Sequence, residues 1–316
     1  MSINISDIDV FVLSYNREDF IINTLRSILS QSICPNIITV FDNGSTDSTI
    51  EQINKLGEKR IKIIKASSNN SVMWNYKRAI NSAISKYTIL FHDDDIIHYQ
   101  YLEHVLVTLN KFDNIGLVCS GMHPSKKPES IKMKRLIYKY NLFKDDVGLA
   151  SKAYYGFPIN FSSSVYRTDL LKTSKFQNKK FQKISDRPFL FDIAKKGGSV
   201  LLTGKYIFYR KHQGQDSNNI KSGPYENHLI ELHKKYYSIL KDGGSMDRFI
   251  FYSNLKYYLK VESAKLKIDD FSFYELKTFR KLSLNKSEVF IIDILYFFRM
   301  YLLIKVYRYL LRLFHT

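Results

Sequence analysis

Short apolar runs alternate with helical spacings through the first hundred residues. Val10, Phe11, Val12 and Leu13 form an unbroken apolar run, as in a buried strand, and a polar turn follows at Tyr15, Asn16 and Arg17. From Ile21 to Leu29 the spacing becomes helical, with Ile22, Leu25, Ile28 and Leu29 on one face. Residues 36–41 are a second, β-branched run. It ends at Asp42, Asn43, Gly44, Ser45, Thr46 and Asp47, a turn rich in Asx and Gly residues. Ser45 or Asp47 is placed to cap a helix starting near Ser48. Residues 61–65 predict a third strand, 73–85 a helix, and 87–91 a fourth strand that runs directly into His92, Asp93, Asp94 and Asp95.

Strands alternating with helices at this spacing predict a parallel sheet with crossover helices, an α/β architecture. In such sheets the polar loops at the carboxyl ends of the strands face the ligand crevice. Three clusters sit at those ends: Ser14 to Arg17, Asp42 to Asp47, and Asp93 to Asp95. Topology alone predicts that they converge. Residues 120–185 give no comparable pattern; 126–139 is basic without clean periodicity, and 155–167 reads as loop, then strand. Ser185 or Asp186, with Pro188 just inside, marks a helix start, and Gly197 and Gly198 its stop. Residues 199–203 and 206–210 read as two short strands delivering Arg210, Lys211 and His212.

From about residue 224 the pattern is helical. Residues 289–314 are the most apolar stretch, but Asp293, Arg299, Lys305, Arg308 and Arg312 interrupt them, so a membrane-spanning helix is not expected. Lys305, Arg308 and Arg312 fall in one narrow arc, the pattern of an interfacial amphipathic helix; a helix docked on the protein's own core is the alternative.

Charge sharpens this division. Residues 1–120 hold 11 Lys and Arg against 13 Asp and Glu, and the remainder holds 37 against 17. A nearly neutral front half suits a catalytic domain with its own acidic site. A back half of net +20 suits a polyanionic neighbour such as anionic lipid or a phosphorylated substrate. Two cysteines, Cys34 and Cys119, suit no disulfide framework and predict buried thiols in a reducing compartment. The opening residues show no basic region followed by an apolar run, so a cytoplasmic protein is expected.

Clustered carboxylates repel one another unless something positive sits among them, and a divalent cation is the simplest answer. Hard oxygen ligands select Mg²⁺ or Mn²⁺, with substrate phosphates completing the shell. Taken alone the triplet is equally a solvated turn or a helix N-terminus. Its place after an apolar strand favours the metal, as does the lack of a GxxxxGK[ST] or GxGxxG loop, which leaves phosphate binding to a cation.

The ordered set of strand-Ser14-Tyr15-Asn16-Arg17, strand-Asp42-Asn43-Gly44-Ser45-Thr46-Asp47 and strand-His92-Asp93-Asp94-Asp95 resembles the inverting family-2 glycosyltransferases of the GT-A fold, over about residues 7–215. The resemblance implies a Rossmann-like, mostly parallel sheet that binds a nucleotide-diphospho-sugar. It gives residues 1–220 to a catalytic domain, with a nucleotide-binding half at 1–120 and an acceptor-binding half at 121–220, and 221–316 to a helical basic extension. It implies that Asp42 bonds the nucleobase, that Ser14, Tyr15, Asn16, Arg17 and Asn43 line the nucleotide pocket, and that Asp93 and Asp95 hold Mn²⁺ or Mg²⁺, with Asp94 beside the diphosphate. Asp186 matches the position of the general base. Tyr209, Arg210 and His212, followed by Gln215 and Ser217, are similar to the family's YRxH…QxS segment, which implies a metal or diphosphate role for His212 and a cationic one for Arg210. Two departures stand out. Tyr76 falls where relatives carry an Arg, leaving Lys77 or Arg78 as a phosphate contact, and His92 replaces an acidic residue.

The expected activity is sugar transfer from a nucleotide-sugar, with UDP the expected nucleotide, to a saccharide or lipid-diphosphate-linked saccharide acceptor. The expected setting is surface-polysaccharide synthesis (O-antigen or capsule) at the inner face of a bacterial plasma membrane, reached through the 289–314 helix. A nucleotidyltransferase is the enzymatic alternative, and a polyanion-binding protein without catalysis the other. No recognised nucleic-acid motif is present.

Overall fold

The computed structural model describes residues 2–156, 159, 161–162, 164–214 and 224–314, with the backbone alone for 224 and 301–314. In chain order the elements are β1 (Ile8–Ser14), α1 (Ile21–Leu29), β2 (Ile38–Asp42), α2 (Thr49–Lys55), β3 (Ile61–Lys65), α3 (Val72–Ser82), β4 (Tyr87–His92), β5 (Ile96–Ile97), α4 (Tyr101–Lys111), β6 (Leu117–Ser125), β7 (Tyr140–Phe143), α5 (Asp146–Tyr154), β8 (Val165–Arg167), α6 (Thr168–Thr173), α7 (Asn178–Phe181), α8 (Asp186–Gly197), β9 (Ser199–Arg210), α9 (Pro224–Leu240), α10 (Ser245–Leu266), α11 (Phe271–Leu282) and α12 (Lys286–Phe314). Two compact units result: Met1–Leu149 with Pro158–Phe176 and Phe189–Gln215, and Ala150–Phe157 with Gln177–Pro188 and Asp216–Thr316. The segment holding Asp186 thus groups with the C-terminal helices.

The first unit is built on one sheet in the order β3-β2-β1-β4-β8-β6-β9-β5, with β7 also on β9. Strands β3, β2, β1 and β4 are parallel neighbours, as the alternation predicts. The apolar runs of β1 and β4 are buried because parallel strands are covered on both faces. Register then sets the site. Ser14 pairs with Asp42, and Leu13 with His92, so the polar loops leave the sheet at one level.

Beyond β4 the sheet is mixed rather than parallel. The three-residue β8 runs antiparallel between β4 and β6, and β5 and β7 run antiparallel to β9. The two short strands expected at 199–203 and 206–210 are one strand. Its pairing with β6 shifts register on either side of Gly121, so surplus residues are absorbed as bulges without breaking the strand.

Local chemistry fixes the element ends. Ser71 caps α3 by accepting from the Trp74 amide. The helix stops three residues short of the expected 85 because Asp9 accepts from the Ile84 and Ser85 amides. Asp47 accepts from the Thr49 amide at the start of α2, whereas Ser45 turns to Asp42. Gly44 sits at φ +79°, and a Cβ there would lie 2.5 Å from the Ser68 carbonyl carbon. Gly44→Ala therefore places a side chain in the left-handed region and against backbone that cannot yield. The expected cost is at least about 2 kcal/mol of unfolding free energy, read as a lower urea midpoint at unchanged m.

Cys119 lies on β6, fully buried, and burial pushes its thiol up to about 12. Cys34 is half-buried and accepts from Arg60. One thiol should react with a disulfide reagent in the native protein and two in denaturant. Above pH 9 the unfolded chain ionises Cys119 while the folded chain keeps its proton, so this residue's contribution to stability falls from pH 9 towards 12.

The second unit is helical. Tyr236, Phe251, Leu255, Leu259, Tyr274 and Ile292 are buried within it. A polar chain crosses its interior: the Tyr154 hydroxyl meets His233 Nδ1 at 2.9 Å, His233 Nε2 meets Glu262 at 2.9 Å, and the Tyr274 hydroxyl donates to Glu262 at 3.0 Å. Paired in this way, buried polar groups do not leave an unmet desolvation cost. No helix among the described residues is long and apolar enough to cross a membrane.

Candidate active site at the carboxyl ends of β1, β2 and β4

The three polar clusters converge as topology predicts. The Asn16 amide donates to Ser45 Oγ, the Arg17 amide to Thr49 Oγ1, and the Glu18 amide to Asp47, tying the β1 loop to the β2 loop. Asn16 adopts φ +50°, which Asn tolerates, and its Oδ1 accepts from the Thr46 amide. The Tyr15 amide donates to Asp93 Oδ2 at 3.0 Å, which ties in the β4 loop.

Asp42 is fully buried, and its carboxylate is closed inside its own loop. Oδ2 accepts from the Gly44 and Ser45 amides, and Oδ1 from the Ser45 hydroxyl. Asp42 therefore shapes the loop rather than presenting its oxygens to a nucleobase. Asn43 reaches Asn69 and the Asn70 backbone, joining the loops after β2 and β3. Arg78 is not the expected phosphate contact. It donates to the carbonyls of Asp42 and Ile64 at the ends of β2 and β3, and lies over Trp74 and Phe41. Lys77 is exposed on α3.

The acidic triplet splits. Asp93 turns towards β1, where Arg17 Nε stands 3.4 Å from it. It stands apart from the candidate ligand group, in which the sequence places it, because its two oxygens are taken up by Arg17 and the Tyr15 amide. The group that does form is His92, Asp94 and Asp95, each offering one ligand atom within 4.8 Å of the others. His212 Nε2 lies 3.0 Å from Asp94 Oδ2, with its ring against Phe20. Arg210 is buried behind the triplet: its amide donates to Asp95 Oδ1, its Nε to the Asp94 carbonyl, and its Nη1 pairs with Glu129 at 2.7 Å. Glu129 was hidden in the unpatterned basic stretch, and only the structure finds it. Gln215, Ser217 and the side chains of Lys305, Arg308 and Arg312 lie outside the described residues.

The electrostatics fit a cation. Burial, then the neighbouring Asp94 charge, pushes the Asp93 carboxyl up to about 7, against the pull of Arg17. The same two causes hold Asp95 well above the carboxylate range. Asp95 Oδ2 is buried with no hydrogen-bond partner among the described residues. Two carboxylates, one of them with an unpartnered buried oxygen, and an imidazole are donors suited to a hard or borderline divalent ion.

Comparison with known proteins bears on the family and the fold. The model of the family "Glycosyl transferase family 2" matches residues 9–174. A Haemophilus influenzae protein described as an uncharacterized glycosyltransferase is 27% identical over 220 residues, 67% of each chain. Among solved structures, S. aureus TarS 1–349 in complex with UDP matches with a TM-score of 0.57 at 17% identity, covering 81% of this chain and 73% of that one. TarS 1–349 in complex with UDP-GlcNAc gives 0.57 at 18%, covering 83% and 76%.

Proposed function

This chain belongs to glycosyl transferase family 2 and has the GT-A fold, and from that premise we propose that it moves a sugar from a nucleotide-diphosphate sugar to a saccharide acceptor with the help of Mn²⁺ or Mg²⁺. The observation that carries the reading is the convergence of the β1, β2 and β4 loops around His92, Asp94 and Asp95. A divalent ion held there would neutralise charge developing on the leaving diphosphate. Around it, Asp94, Asp95 and His212 would hold the ion, Arg17 and Asp93 would fix the β1 loop, and buried Arg210 would hold the Asp94–Asp95 turn in place. Asn43 and the Asn69–Asn70 backbone would border the nucleoside. UDP is the proposed nucleotide; that TarS was solved with UDP points the same way.

Asp186 is proposed as the base that takes the acceptor proton, on the resemblance. Its neighbour Arg187 lies beside Tyr236 and Asp186, and those partners hold its guanidinium firmly charged. A thermal-shift screen of UDP-, dTDP- and GDP-sugars with Mn²⁺ tests the reading. One nucleotide class should raise Tm in a metal-dependent way, since a ligand that binds only the folded state stabilises it. Equal, metal-independent shifts by all would count against it.

The acceptor is proposed to be lipid-diphosphate-linked and met at an anionic membrane surface, in O-antigen or capsule synthesis at the inner face. Helix α12 supports this. Among its described side chains, Asp293 pairs with Lys256, Glu288 accepts from Tyr237 and Tyr252, and Arg299 lies over Tyr257. Phe290, Ile291, Ile294, Phe297 and Phe298 are exposed. These positions recur at helical spacing, so an apolar stripe faces outward. Replacing Phe290, Phe297 and Phe298 together with Ser should lower flotation with anionic vesicles at least about tenfold. Unchanged flotation would remove the membrane from the account.

A further inference from the structure

His92 stands where the sequence departs from its relatives, and the structure gives it a defined place. One of its ring nitrogens lies within 4.8 Å of ligand oxygens on Asp94 and Asp95. The ring does not hang loosely. The Tyr76 hydroxyl meets Nε2 at 2.7 Å, and the His92 amide donates to Ser162 Oγ at 2.9 Å. Tyr76 is itself buried, with its ring edge-on to Phe161 and tilted against Phe176. A hydroxyl on Nε2 fixes ring orientation, and when it accepts the Nε2 proton it leaves Nδ1 with a free lone pair for a metal, as the partners of metal-bound histidines do. Asp95, fully buried, points an unpartnered Oδ2 from the same group.

We propose that His92 supplies a nitrogen ligand to the divalent ion, that this mixed nitrogen–oxygen shell makes the chain select Mn²⁺ over Mg²⁺, and that Tyr76 is the positioning residue for His92. The proposal rests on the metal reading above and adds the choice of metal to it. Mg²⁺ takes oxygen ligands in near-ideal octahedra and gives up water reluctantly. An imidazole in the shell therefore adds little to Mg²⁺ affinity. It adds more for a first-row transition dication, whose affinity for nitrogen donors is higher. An all-carboxylate site at the same loop would discriminate less. Tyr76 then has a role that its buried aromatic packing alone does not give it. Without its hydroxyl, the His92 ring loses the bond that orients it.

Mn²⁺ binding to the full chain can be read directly from loss of the free-ion EPR signal, with Mg²⁺ as competitor, without UDP and with it. The wild type should bind Mn²⁺ at least about tenfold more tightly than Mg²⁺. His92→Gln offers an amide oxygen instead of a nitrogen. It should lose about 10–100-fold in Mn²⁺ affinity, with Mg²⁺ affinity held within about twofold. Tyr76→Phe should lose about tenfold for Mn²⁺ and lower the Mn²⁺/Mg²⁺ ratio, which a purely structural role would leave unchanged. Asp95→Asn should weaken both ions together. Thermal melts without metal check that each variant is folded. If His92→Gln keeps the wild-type ratio while Asp95→Asn loses both ions, the metal site stands and the role of His92 is overturned. If the wild type binds neither ion in either condition, the metal reading fails and this proposal fails with it.

Discussion

Asp95→Asn should lower kcat by about 10³-fold while leaving the protein folded, the scale expected for removing a group that organises charge stabilisation at the reacting centre. The reason lies in how Asp95 is held. Its Oδ1 already accepts from the Arg210 amide, and its backbone carbonyl accepts from Thr24, so the side chain cannot swing away. Oδ2 alone is left for a ligand. Asn keeps the shape and the Oδ1 bond but removes the charge. Stability should move the other way. The folded state holds this carboxyl well above the usual range, so its ionised form opposes folding once the pH rises above the unfolded value. At pH 7 without metal, the variant should therefore melt no lower than the wild type. Steady-state turnover and a metal-free melt, measured together, check both halves. Loss of activity accompanied by a collapse in Tm would mean that Asp95 is structural.

Asp186→Asn should lower kcat by about 10²–10⁴-fold with the donor KM unchanged, since a base acting on the acceptor hydroxyl contributes on that scale and does not touch the donor. The substitution is mild where it stands. Asp186 opens α8, and the cation next to it, Arg187, also has Tyr236. A rise in donor KM at unchanged kcat would place Asp186 with the nucleotide instead.

Much of this was readable from the chain because β1, β2 and β4 are apolar and β-branched runs, each ending abruptly in polar residues. Parallel pairing of such runs forces their ends to one level, and the pairs Ser14–Asp42 and Leu13–His92 are the result. Gly44 in its Asx-rich turn, and the Pro188 start and Gly198 stop of α8, are likewise local chemistry, visible residue by residue. What stayed hidden depends on distant partners. The strand expected at the end of 155–167 is β8, but its antiparallel insertion between β4 and β6 is set by those distant strands and not by its own three residues. Glu129 matters only because Arg210, far along the chain, is buried against it. Which way each aspartate turns was also beyond the sequence. Asp93 faces Arg17 and the Tyr15 amide, Asp94 faces His212, and Asp42 folds back on Gly44 and Ser45. The spacing of the triplet pointed to Asp93 and Asp95 as the pair, whereas the geometry groups His92, Asp94 and Asp95. Arg78 shows the same limit, since its donors go to the carbonyls of Asp42 and Ile64 rather than outward.

The most direct measurement is release of nucleoside diphosphate by the full chain from its nucleotide-sugar, before chelation, after it, and after Mn²⁺ is returned. Release should fall to background with the chelator, recover with Mn²⁺, and stay at background in Asp95→Asn throughout. Full turnover after chelation, or pyrophosphate as the released product, would contradict a metal-assisted sugar transfer at the end of β4.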